Sequence, residues 1–200
     1  TSILQTWFGG SEAADAITDV LFGDVNPSGK LTMSFPFSVG QIPVYYNMKN
    51  TGRDAYSKDY RRYASNWIDC PIEPLFAFGH GLSYTTFEYS PVALSDTLMA
   101  VNGAVKAKVT VSNTGEYDGY EVAQLYIRDV VSSETRPVKE LKGFRRVFLK
   151  AGESAEIEFD ITPDMLGWHS VDQYNLSGSS EPLSARFVVE PGDFDIMIGT

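Results

Sequence analysis

Two hundred residues, 43% of them hydrophobic, are enough for one large folded unit or two small ones, and the chain is too apolar to stay disordered. Twenty-six acidic against sixteen basic residues leave a formal net charge of −10, which sets the surface against nucleic acid and anionic lipid, so neither is an expected partner. No run of about 18 apolar residues offers a membrane span, and the single Cys70 cannot close an internal disulfide.

The opening TSILQTWFGG lacks the basic start and cleavage pattern of a signal peptide. Ser2-Ile3-Leu4 begins an apolar segment with nothing before it to turn it, and the strand pattern Asp195-Ile196-Met197-Ile198 stops at Thr200, so a fragment of a longer protein is expected. Ser11 is placed to cap a first helix, Glu12 suits its first turn, and Ala13, Ile17, Val20 and Leu21 fall at helical spacing before Gly23 ends it. The stretch GDVNPSGKLTMSF that follows has the look of a phosphate loop. Five residues rather than four separate Gly23 from Gly29, however, and Leu31 stands where Mg²⁺ chemistry needs Ser or Thr. The order is also reversed, because a phosphate loop enters a helix and this one leaves a helix. It reads instead as a helix stop and a turn, with Lys30 expected to face solvent and Leu31 to Phe35 alternating as a strand before Pro36. Strand, helix and strand over residues 1–73 suggest the closing unit of an α/β domain.

From Tyr45 to Asp69 runs a loop rich in tyrosine and charge without clean periodicity, a kind of segment that is either functional or packed on a neighbour. Residues 74–85, with Phe76, Phe78, Gly79, His80 and Gly81, read as a connector. From residue 86 to 200 the pattern is β. Val105, Ala107, Val109 and Val111 alternate with polar residues, as do Ala123, Leu125 and Ile127, then Ala155, Ile157, Phe159 and Ile161, and finally Phe194, Ile196 and Ile198. Short strands between turn signals imply a β-sandwich, and without a Cys-Trp-Cys framework the fibronectin III side is favoured over the immunoglobulin side. The alternation shows no exposed aromatic strip.

Few residues offer chemistry. Glu12, after Gly9-Gly10-Ser11 at a strand-to-helix turn, sits where α/β folds place their sites, though stabilising its own helix explains it as well. His80 and His169 show no metal-ligand spacing with Cys70, so no metal and no cofactor are expected. No Gly-x-Ser-x-Gly elbow is present for a Ser-His-Asp triad. Cys70, beside Trp67 and Ile68, reads as an inert thiol. Tyr45, Tyr46, Tyr56, Tyr60, Tyr63 and Trp67 could stack on sugar rings or on another domain. Arg53, Arg61 and Arg62 have Asp54, Asp59 and Asp69 as neighbours, and Asn175-Leu176-Ser177 is a formal glycosylation acceptor.

Taken in order, WFGGSEAADAITDVLFGDVNPSGKLTMSFPFSVGQIPVYYN, EPLFAFGHGLSYTTFEYS, VSNTGEYDGYEVAQLYIRD and RPVKELKGFRRVFLKAGES resemble the C-terminal part of glycoside hydrolase family 3 enzymes, nearest to their bacterial β-glucosidases. The resemblance implies an N-terminal (β/α)₈ barrel, an α/β sandwich domain and a fibronectin III-like domain, of which this chain holds the end of the second and almost all of the third. It implies hydrolysis of terminal, non-reducing β-linked glucose with retention, in a periplasmic or extracellular enzyme. The family's aspartate nucleophile belongs to the barrel and its acid/base motif lies upstream of Trp7, so no catalytic residue is assigned here. The candidate substrate contacts are Tyr45, Tyr46, Trp67 and Glu12. The expected partners are the barrel, the remainder of the α/β domain, and a β-glucoside or cello-oligosaccharide. The stretch Tyr174 to Arg186 looks longer than usual for the family and is expected to project as a loop that could contact a second subunit of a homodimer. The alternatives are a β-xylosidase or β-N-acetylglucosaminidase of the same family, or a non-catalytic carbohydrate-binding or adhesion module.

Overall fold

The computed structural model describes residues 2–53, 63–171 and 185–200. Its elements in chain order are α1 (Ala13–Phe22), β1 (Phe87–Tyr89), β2 (Ala93–Leu94), β3 (Val105–Asn113), β4 (Gly119–Asp129), β5 (Glu140–Leu149) and β6 (Ser154–Ile161). A short helix α2 (Pro163–Leu166) and strands β7 (Trp168–Val171), β8 (Ala185–Val188) and β9 (Phe194–Gly199) follow. Among the described residues all strand pairings are antiparallel. β3 carries β1 and β2 along one edge and β6 along the other; β4 lies between β5 and β9; β7 and β8 form a separate two-stranded sheet.

Alternation makes the core. Val105, Ala107, Val109 and Val111 of β3 and Ile157, Phe159 and Ile161 of β6 are buried, and all of these but Val105 share one cluster with Ala123, Leu125 and Ile127 of β4, Leu149 and Leu166. On the other face of β3 and β6, Lys106 pairs with Glu158 and Asp160, and Lys108 with Glu156 and Glu158, so the wet side is a ladder of opposite charges. The expected all-β sandwich is therefore present. The outer face of β4 and β5 departs from expectation, because Tyr120, Phe144 and Phe148 are exposed together there. Cross-strand register puts Tyr120 opposite Phe148, a neighbourhood that alternation within one strand does not reveal.

The N-terminal part is built differently. α1 ends as expected at Gly23, whose φ of 86° is the left-handed turn that glycine adopts without penalty. Its start is shifted: Glu12, not Ser11, is the N-cap and makes no side-chain hydrogen bond, because Ser11 lies in a tight turn where the Ala13 N–H donates to the Gly10 carbonyl. No residue of α1 is buried. Neither stretch flanking α1 forms a strand. Residues 31–35 instead pair irregularly with 76–80: the Leu31 N–H donates to the His80 carbonyl at 2.8 Å, the Gly79 N–H to the Leu31 carbonyl at 2.7 Å, and Phe35 and Phe76 exchange hydrogen bonds. Between those rungs the Phe78 N–H donates to the buried Ser34 hydroxyl at 3.3 Å, so a side chain replaces one step of the ladder. The segment expected as a connector is thus the pairing partner of the one expected as a strand.

Gln41 is an anchor that the sequence reading missed. Fully buried, it accepts the Phe37 N–H at 2.6 Å and donates its amide to the Pro71 and Glu73 carbonyls, each at 3.0 Å. One side chain so joins two loops about thirty residues apart, which only a three-dimensional contact exposes.

Candidate functional site

Residues 26–30 lie along the seam between the N-terminal part and the sandwich, and every second side chain crosses it. The Asn26 amide donates to the Asp118 carbonyl at 3.0 Å, while its oxygen accepts from the Ser83 hydroxyl and the Tyr84 N–H, each at 2.8 Å. The Ser28 hydroxyl accepts from Arg146 at 3.3 Å, and that guanidinium also lies 3.5 Å from the Tyr120 ring centre. Lys30 does not face solvent as expected. Its ammonium donates to the Gly81 carbonyl at 3.0 Å and lies 3.3 Å from the Glu121 carboxylate, with the two side chains only 11% and 3% exposed. The Tyr89 hydroxyl donates to the same carboxylate at 2.9 Å, and burial together with the Glu121 charge pushes that phenol well above its ordinary value. The alternation that predicted a strand after Lys30 begins, in effect, at Asn26, and the face it presents is polar.

The seam is tight as well as polar. A Cβ on Gly81 would overlap the Gly29 carbonyl, and one on Gly119 would overlap the Asn26 amide. The Tyr84 hydroxyl donates to the Val20 carbonyl near the end of α1 at 2.6 Å, tying the helix to the same junction.

The four candidate contact residues have different surroundings. Glu12 is exposed at the helix start, Trp67 is half-buried, and Tyr45 is 60% exposed. Tyr46 turns the other way: its ring stacks on Phe78 with centroids 4.0 Å apart and planes within 13°, and its hydroxyl accepts the Leu141 N–H at 3.4 Å. Further along the segment, the Val138 N–H donates to the Met48 carbonyl at 2.8 Å and Lys49 bridges Pro137. Residues 46–49 are therefore seated on the sandwich. Tyr63 is exposed, whereas Tyr56, Tyr60, Arg61, Arg62, Asp54, Asp59, Asn175 and most of the stretch from Tyr174 to Arg186 lie outside the described residues. Cys70 is half-buried and free. His80 stacks on Phe76 at 5.4 Å and His169 meets Phe187 edge-on at 5.3 Å. Among the described residues no group of three His, Cys, Asp or Glu could hold a metal, and no helix is long and apolar enough to cross a membrane.

Comparison with known proteins matches both halves. Residues 1–84 fit the family model of the glycosyl hydrolase family 3 C-terminal domain, and residues 121–200 fit the fibronectin type III-like domain. The chain belongs to glycoside hydrolase family 3. A periplasmic beta-glucosidase of Salmonella typhimurium is 47% identical over 199 residues, covering 99% of this chain and 24% of the relative. A beta-xylosidase of Formosa agariphila is 43% identical over 198 residues, covering 99% of this chain and 25% of the relative. The crystal structure of a beta-glucosidase from Listeria innocua in complex with glucose superimposes with a TM-score of 0.83 at 40% identity, covering 97% of this chain and 25% of that one. This family 3 chain thus spans about a quarter of the length of the relatives it matches. The strap of residues 26–30 and its partners in 78–84 lie inside the matched C-terminal domain, and Glu121 and Arg146 inside the fibronectin-like one, so the seam joins the two matched units.

Proposed function

We propose that this chain is the C-terminal scaffold of a retaining β-glucosidase acting on terminal, non-reducing β-D-glucosyl residues, and that it lends one side of the active-site rim. The observation that carries the reading is the pairing of two facts: 47% identity to a periplasmic beta-glucosidase, and an exposed Tyr45 on a segment pinned by the sandwich. An aromatic ring held on a fixed backbone is what a sugar face stacks against. The exposed Tyr45 and Glu12 and the half-buried Trp67 are the residues that would meet substrate, and Tyr46 holds the segment from behind. Organisation as residues 1–73, a connector 74–85 and a sandwich 86–200 goes with this reading.

In the intact enzyme the partners are an N-terminal (β/α)₈ barrel and the rest of the α/β domain, and exposed Leu21 and Phe22 of α1 offer that domain an apolar face. Periplasmic or extracellular placement follows the Salmonella relative, and the stretch 174–186 is where a homodimer contact would form. Replacing Tyr45 by Ala in the intact enzyme should raise KM for cellobiose about tenfold; an unchanged KM removes the rim role. Comparing β-glucoside with β-xyloside turnover separates the two activities named among the relatives.

A carbohydrate-binding role for the sandwich is favoured by one observation, the exposed Tyr120, Phe144 and Phe148. The Tyr120 and Phe148 planes are inclined by 58°, however, so they make no flat platform for a glucan chain. Titrating the chain with cello-oligosaccharides decides: saturable binding abolished by Phe148→Ala supports a binding module, and a flat titration leaves the scaffold.

A further inference from the structure

We propose that Tyr126, on the outward face of β4, is a positioning residue for the rim segment, acting through Tyr46 and Phe78. The inference rests on the rim reading and names the part of the sandwich that serves it. Tyr46 and Phe78 form a parallel stack, and the Tyr126 ring closes its edge nearly at right angles to both, 6.1 Å from Tyr46 at 71° and 6.5 Å from Phe78 at 81°. Two stacked rings and one edge-on ring are a favourable aromatic arrangement and leave little freedom to slide.

Polar contacts fix the third ring in turn. The Tyr126 hydroxyl donates to the Gln124 side-chain oxygen at 2.8 Å, and the amide of the buried Gln124 donates to the Gly79 carbonyl at 3.0 Å. Gly79, at φ 82°, lies so close beneath that a Cβ there would overlap both Gln124 and the Tyr126 hydroxyl. Lys139 covers the Tyr126 ring at 5.3 Å. Burial, aided by the neighbouring Tyr46, pushes the Tyr126 phenol up to about 12, so it stays a neutral donor under ordinary conditions. The route from sandwich to rim is therefore continuous: Gln124 and Tyr126 on β4, then Phe78 and Tyr46, then Tyr45. A fibronectin-like unit thereby sets where an aromatic ring stands.

Trypsin cleavage after Lys49, read by mass spectrometry on this chain, reports whether the segment is held. Tyr126→Ala should speed that cleavage about tenfold, while Tyr126→Phe, which keeps the ring, stays near wild type. Tyr46→Ala gives the same acceleration from the loop side and leaves β4 intact, so a sandwich that folds poorly in Tyr126→Ala does not blunt the test. Unchanged cleavage in both alanine variants overturns the proposal. In the intact enzyme the same alanine variants should raise KM about tenfold with kcat changed far less. Faster cleavage with an unaltered KM leaves the positioning intact and sinks the rim reading on which it builds.

Discussion

The two parts of this chain are held by different physics. The sandwich closes over its own apolar core, with Leu125 and Leu149 wholly enclosed and both sheets contributing. The N-terminal part has a helix without one buried residue, Phe22 at its end being 81% exposed, and it keeps its place through polar side chains that reach the sandwich. Hydrophobic burial tolerates small shifts, whereas a hydrogen bond or a buried ion pair requires particular atoms in particular places. The first kind of unit supplies stability and the second supplies registration, a division that goes with the proposed scaffold role.

The strongest challenge to this contrast is Leu125→Ala. It should cost about 4 kcal/mol by removing a fully enclosed side chain, measured by urea unfolding, and a loss below about 1 kcal/mol would mean that the sandwich core is not the source of stability. Lys30→Met should cost about 3 kcal/mol, because it leaves Glu121 buried without its cation. The double variant Lys30→Met/Glu121→Leu should recover much of that loss; simple additivity of the two singles would show that the pair is not coupled. Asn26→Ala, which removes one hydrogen bond across the seam and two that hold the strap to residues 83 and 84, should cost about 2 kcal/mol. Alkaline titration probes the seam more gently. The folded Tyr126 phenol is held above the unfolded value of about 10, so its contribution is whole below pH 10 and fades as pH climbs to about 12. Stability should fall over that window, and Tyr126→Phe should flatten the slope while Tyr89 keeps the rest. At the weak end, Phe22→Ala should change stability by no more than about 0.5 kcal/mol; a larger loss would place part of the core where α1 shows none.

The sandwich was legible because its signal is local and repeated. Buried residues at 105, 107, 109 and 111, and again at 157, 159 and 161, stand where period-2 alternation puts them. The left-handed turn at Gly23 was legible for a similar reason, since helix spacing and a glycine stop lie side by side in the chain. Lys30 was not. Nothing near it in sequence distinguishes a solvent-facing lysine from one that meets a carboxylate ninety-one positions away. The strand expected at 31–35 failed in form rather than in pairing, because its partner carried the glycines and aromatics that mark a connector. Tyr45 and Tyr46 are adjacent and alike in type, yet one is exposed and the other stacked on Phe78. Only the position of β4 and β5 separates them, and Trp67 and Glu12 likewise take their surroundings from the fold.

The narrow approach of Gly119 to Asn26 bears on how family 3 enzymes can be recombined. A chimaera that swaps the sandwich at residue 86 would keep Gly81, Asn26, Ser28 and Lys30 from one parent and receive positions 118, 121 and 146 from the other. Lock and key would then come from different sources, and even a methyl group at position 119 would overlap the Asn26 amide and wedge the halves apart. An exchange that carries residues 26–30 and 76–85 along with the sandwich would transfer the joint whole, so the natural unit of inheritance for engineering is the seam together with both of its sides.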